Sequence, residues 1–75
     1  MTLSSQHIRE QAWSFHQQGD WRGAEAHYRQ LVRHGLENNC LDRRDAINLG
    51  GLLRERGRLK EAQQHYQAVL KALPG

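Results

Sequence analysis

A single cysteine, Cys40, leaves the chain without any intrachain disulfide, and a reducing cytoplasm is the expected compartment. No apolar run approaches the ~18 residues that a membrane span needs, so no membrane partner is expected. Residues Met1 to Gln6 have neither a basic stretch nor an apolar core, so no secretory signal is visible. Apolar and polar residues nowhere alternate as a half-buried strand requires, which leaves an all-α chain.

Groups for chemistry are equally sparse. Nucleophilic catalysis needs a side chain beside a base, and acid–base catalysis a tuned pair. Of the serines Ser4, Ser5 and Ser14, two sit where helix caps belong. Glu10, Glu25, Glu37, Glu55 and Glu61 are dispersed among basic residues. No two of the histidines His7, His16, His27, His34 and His65 have the i, i+4 spacing of a helical zinc site, and Cys40 has no CxxC companion. The histidines are expected on the repeat surface. Gly50-Gly51 falls inside a helical stripe and not in a phosphate-binding loop. The expectation is a non-enzyme with no catalytic residues, no metal and no cofactor.

What is present is enough Leu, Ala, Ile, Val, Trp and Tyr for a thin core, within a length that allows one small domain. Eleven Lys and Arg face eight Asp and Glu, a net +3 that mildly favours an acidic partner. The signs are interspersed, as in Arg43-Arg44-Asp45 and Arg54-Glu55-Arg56, which reads as solvated helix surface.

The chain repeats itself. Gly19, Ala24, His27 and Tyr28 recur as Gly57, Ala62, His65 and Tyr66, an offset of 57 − 19 = 38. Trp21, Leu31 and Val32 find apolar counterparts in Leu59, Val69 and Leu70, and Arg22 and Arg33 basic ones in Lys60 and Lys71. Self-similarity at such a period means stacked supersecondary units.

Each unit reads as two helices. Ser4 or Ser5 caps the first, with Leu3 as a staple, and Ile8, Ala12 and Phe15 form its inner face. Gly19 suits a left-handed helix end and Asp20 the next cap; Trp21, Ala24, Tyr28, Leu31 and Val32 form the second stripe, which Gly35 is expected to close. Ala46, Leu49, Gly50 and Leu53 mark the third helix, ended by Gly57, with Asn38, Asn39 and Asp42 as alternative caps. Leu59, Ala62, Tyr66, Val69, Leu70 and Leu73 mark the fourth, stopped by Pro74-Gly75. The predicted helices are 5–18, 20–34, 40–56 and 58–72. Residues 1–75 form a single helical-repeat domain, with repeat one about 5–38 and repeat two about 43–75.

These landmarks resemble the tetratricopeptide repeat, whose pattern is W-x2-L-G-x2-Y, then A-x3-F, then P. The second unit reads Ala46-x2-Leu49-Gly50-x2-Leu53, Ala62-x3-Tyr66 and Pro74, departing in kind only at Ala46. The first reads Ile8-x2-Gln11-Ala12-x2-Phe15 and Ala24-x3-Tyr28, with Leu36 at the proline position. Gln11 in an apolar position suggests an N-terminal repeat with one exposed flank. The family frame of 34 residues implies about four inserted residues near Leu36 to Asp42, as a longer turn or an extra turn opening the third helix. The implied fold is two stacked antiparallel helical hairpins, a fragment of an α-solenoid. Small residues at Ala12, Ala24, Gly50 and Ala62 let helix axes approach, and Phe15, Tyr28, Leu53 and Tyr66 fill the space between them.

The resemblance implies a protein-interaction or scaffold module that binds a peptide or protein segment on its concave face. Arg9, Trp13, Gln17, Arg44, Asn48 and Gly51 are the residues expected there, with Trp13 either an anchor or a packing residue. Some family members clamp a C-terminal carboxylate. Here Arg9 and Asn48 fall on a Lys and an Asn of that clamp, but Trp13 replaces another Asn and the third repeat is missing, so the clamp is not reproduced. Pentatricopeptide-like RNA binding is a weaker alternative, since two units contact only about two bases. Self-assembly is another: with nothing after Gly75 to cover the fourth helix, Tyr66, Val69, Leu70 and Leu73 are expected to pair copies as a homo-oligomer. Leu73-Pro74-Gly75 also falls where a further repeat would begin, which leaves room for this to be the N-terminal part of a larger protein.

Overall fold

Local sequence sets the helix ends. In the computed structural model, which describes residues 4–73, four helices follow one another: α1 (Ser5–Gln17), α2 (Trp21–Glu37), α3 (Arg43–Glu55) and α4 (Leu59–Ala72). Ser4 caps α1 by accepting the His7 N–H, Asp20 caps α2 through Gly23 N–H, and Asp42 caps α3 through Arg44 N–H. Gly19 and Gly57 take positive φ, 79° and 74°, at the ends of α1 and α3. There Asp20 N–H reaches back to Phe15 O and Arg58 N–H to Leu53 O, which closes each end with a six-residue loop. The staple at Leu3 and the stop at Pro74-Gly75 lie outside the described residues.

The inserted residues lengthen α2 and the linker after it, and do not open α3. Gly35 does not end α2, which runs on to Glu37. Asn39 takes the left-handed position instead, at φ 53°, and Cys40 N–H bonds back to Gly35 O. Gly35 is glycine for a different reason: a Cβ there would strike the backbone of Leu41, 2.7 Å away, where the linker folds back over the helix. The extra turn therefore lengthens α2, and α3 starts only at Arg43.

α1 packs on α2, α2 on α3 and α3 on α4, in a slab of 35 × 34 × 14 Å. Ala12, Ala24 and Ala62 are buried at the crossings, with Tyr28, Leu31, Val32, Leu49, Leu52 and Leu53 between them. Full burial of Leu52 and Leu53 contributes about 1.5–3 kcal/mol each; the gain from the Tyr28 ring is offset in part by its hydroxyl, which is buried without a hydrogen-bond partner. Gly50 admits the Tyr66 ring, which a Cβ there would overlap. The two equivalent tyrosines differ: Tyr28 is 0% exposed, whereas Tyr66 is only half-buried. Tyr28 belongs to the core that α3 completes, and no described helix lies over the corresponding side of Tyr66.

Candidate functional site

Two side-chain pairs cross-link α1 to α3. Arg9 forks onto Asp45, Nε to Oδ1 at 2.7 Å and Nη2 to Oδ2 at 2.8 Å. Asp42 approaches the same guanidinium at 3.6 Å, and Gln6 accepts from its Nη1. Hydrogen bonding to Asp45 raises the Arg9 pKa against the desolvation that would lower it. Toward the other end, His16 Nε2 lies 3.5 Å from Glu55. Asp45 lies in the charge run Arg43-Arg44-Asp45 yet is 2% exposed, and only the fork from α1 makes its burial tolerable. No local signal marks it, because its partner is 36 residues away.

These cross-links bracket Trp13 on α1 and Asn48 and Gly51 on α3. Trp13 is 53% exposed, its ring edge toward His16 at a centroid distance of 5.8 Å. Gln17, one turn on, is exposed, and Asn48 and Gly51 are half-buried. A Cβ added at Gly51 meets nothing within 4 Å, so the backbone there faces open space. Arg44 is exposed but folds onto its own capping residue Asp42, whose pKa it holds low by hydrogen bonding. Of the two cations expected on this strip, Arg9 is thus engaged by carboxylates of α3 and its cap, and Arg44 by Asp42.

On α2 and α4 a ring of four charges ties the hairpins together. Glu25 accepts from Arg29 at 2.8 Å and from Arg58, and Glu61 accepts from Arg58 at 2.7 Å and from Arg29 at 3.2 Å. Burial pushes the Glu25 pKa up, but the hydrogen bonds from Arg29 and Arg58 outweigh it and hold the carboxyl below its ordinary range. Arg56 lies over the Trp21 ring at 4.3 Å, a second contact between the hairpins. Three histidines expected on open surface, His16, His27 and His65, are half-buried. His27 Nδ1 donates to Gly23 O beside the Phe15 ring, and His65 Nε2 donates to Ala46 O, tying α4 to α3. Among the described residues, no three His, Cys, Asp or Glu side chains converge on a point where a metal could sit, and no helix is long and apolar enough to cross a membrane.

The second open surface is the outer groove between α3 and α4, a space of about 490 Å³ lined by Tyr66, Val69, Leu70 and Leu73 together with Arg43, Ala46 and Ile47. The four residues expected to mediate self-association therefore line one groove. Val69 forms its floor and is buried within the chain; Leu70 stands 72% exposed on its rim. Ile47, 61% exposed and outside the apolar stripe of α3, follows Arg43 by one turn on the same helix side.

Two stacked helical hairpins define a helical-repeat protein. The tetratricopeptide repeat family model matches residues 8–41 and 46–75, and the chain belongs to that family. Its role is protein–protein interaction or scaffolding in the general sense, and the family is typically non-catalytic. No curated protein and no solved structure matches the chain.

Proposed function

We propose that the chain holds a peptide or protein segment of a partner along the strip between the two α1–α3 cross-links, with Trp13 as the anchor. The observation that carries this reading is the exposure of the Trp13 indole on α1, one turn before Gln17. A large aromatic group in that position offers much contact area at little entropic cost, and such groups dominate binding energies. Gln17 and Asn48 supply hydrogen-bonding groups for a partner backbone, and the bare backbone at Gly51 leaves it room. Arg9 and Arg44 frame the strip; with Asp45 and Asp42 already on them they do not serve as a carboxylate clamp. The Arg9–Asp45 fork fixes one end of the strip, which lowers the entropy lost on binding.

The experiment is a random-peptide display selection on the immobilised 75-residue chain, followed by titration of the selected peptides. Trp13→Ala is expected to weaken them by about 1–3 kcal/mol, the range for a buried aromatic anchor. Selected peptides that bind Trp13→Ala as well as the parent chain would reject this surface.

A further inference from the structure

The outer α3/α4 groove has an occupied counterpart inside the same molecule. With the offset of 57 − 19 = 38, its residues Ala46, Tyr66, Val69 and Leu70 correspond to Ile8, Tyr28, Leu31 and Val32. Those four are all buried, in one core cluster with Leu49 and Leu52 of α3. The first hairpin therefore shows what this kind of groove accepts, an amphipathic helix. The inward side of α3 reads Asp45, Leu49, Leu52, Glu55, two leucines between two carboxylates. Asp45 meets Arg9 and Glu55 meets His16.

The charges around the outer groove choose among occupants. It is continuous with a shallower groove that shares Tyr66 and Leu70 and adds Leu59 and Ala62. The charged residues lining the two are Arg43 and Arg54, one at each end of α3, and no acidic residue lines either. Neither arginine makes an ion pair among the described residues. Arg54 occupies the repeat position of His16, whose Nε2 lies 3.5 Å from the Glu55 carboxylate. Eleven residues of helix separate the two cations by about 16 Å, three turns.

A second copy fits poorly in either orientation. Two grooves face to face would bring arginines to arginines, with no carboxylate opposite. Head to tail, the groove would receive α1, whose side equivalent to the inward side of α3 is His7, Gln11, Ser14 and Gln17, all polar.

We propose that the outer α3/α4 groove docks an acidic amphipathic helix of a partner protein, with carboxylates about three turns apart flanking apolar residues one turn apart. Leu70 and Ile47 grip the apolar side, and Arg43 and Arg54 take the carboxylates. This surface is separate from the Trp13 strip and stands or falls independently of it.

The probe is a labelled, end-blocked helical 14-mer with the pattern Asp-x3-Leu-x2-Leu-x2-Glu on an alanine and glutamate background. Its counterpart carries lysine in place of every acid. Both are titrated into the full 75-residue chain by fluorescence anisotropy at low and high salt. The acidic peptide is expected to bind at least tenfold more tightly than the lysine peptide and to weaken as salt rises. Leu70→Glu and Arg54→Glu are each expected to reduce its affinity at least tenfold with helicity unchanged by circular dichroism, since both side chains are exposed. Trp13→Ala is expected to leave it unaltered. Equal binding of the two peptides, no binding of either at millimolar concentration, or indifference to Leu70→Glu would overturn the proposal. So would sedimentation showing that the parent chain pairs through this face, with the dimer abolished by Leu70→Glu; the occupant would then be a second copy.

Discussion

Arg9 of α1 and Asp45 of α3 meet through two parallel hydrogen bonds of 2.7 and 2.8 Å, and Asp45 is the buried charge of the described core. The pair locks the two hairpins in register. Its energetics are asymmetric: a paired buried charge contributes little net stability, whereas an unpaired one is strongly unfavourable.

Arg9→Met is therefore expected to destabilise the chain by about 3 kcal/mol, because it leaves the Asp45 carboxylate buried without a partner. Asp45→Leu in the same chain should recover most of the loss. Urea denaturation of the two single variants and the double variant measures the coupling. Strictly additive effects would mean that the fork does not hold the seam.

Adjacent glycines should respond in opposite directions. Gly50→Ala drives a Cβ into the Tyr66 ring and is expected to cost about 2 kcal/mol by overpacking. Gly51→Ala places a Cβ in open space within a helix and is expected to stabilise by roughly 0.4–1 kcal/mol. In a domain of this size the midpoint temperatures should move down and up by about 4–8 °C per kcal/mol.

Acid should unlock the charged ring on α2 and α4. The Glu25 pKa is lowered on folding, so its contribution is fully present above the unfolded value, about 4.3. It is lost as pH falls through the folded value below that. Stability should decline with acid in this window, and Glu25→Gln should flatten the slope there, as read from denaturant midpoints between pH 6 and 3. A variant with the parent's slope would remove Glu25 from the account.

The end of α2 can be probed at Asn39. At φ 53° an alanine is strained and a glycine is not. Asn39→Ala is expected to lose about 1 kcal/mol and Asn39→Gly to be close to neutral, by thermal unfolding. The same pair of substitutions at Asn38, which has φ −113°, should show the reverse order.

Much of this protein is written locally. The 3.6-residue stripes, the capping side chains of Ser4 and Asp20, and the left-handed glycines Gly19 and Gly57 act within a few residues of themselves, so the sequence alone determines four helices in two similar hairpins. The 38-residue echo adds that the hairpins stack. Tertiary structure decided what depends on a distant neighbour. Gly35 looks like a helix end and is instead a point of close approach, because Leu41 crosses it. Asp45 looks like solvated surface and is buried, because Arg9 reaches across from another helix. Tyr28 and Tyr66 share one local pattern yet differ in burial, because α3 completes the core around the first and no described helix covers the second. Periodicity tells a residue which side of its helix it occupies; only packing tells it what lies on that side.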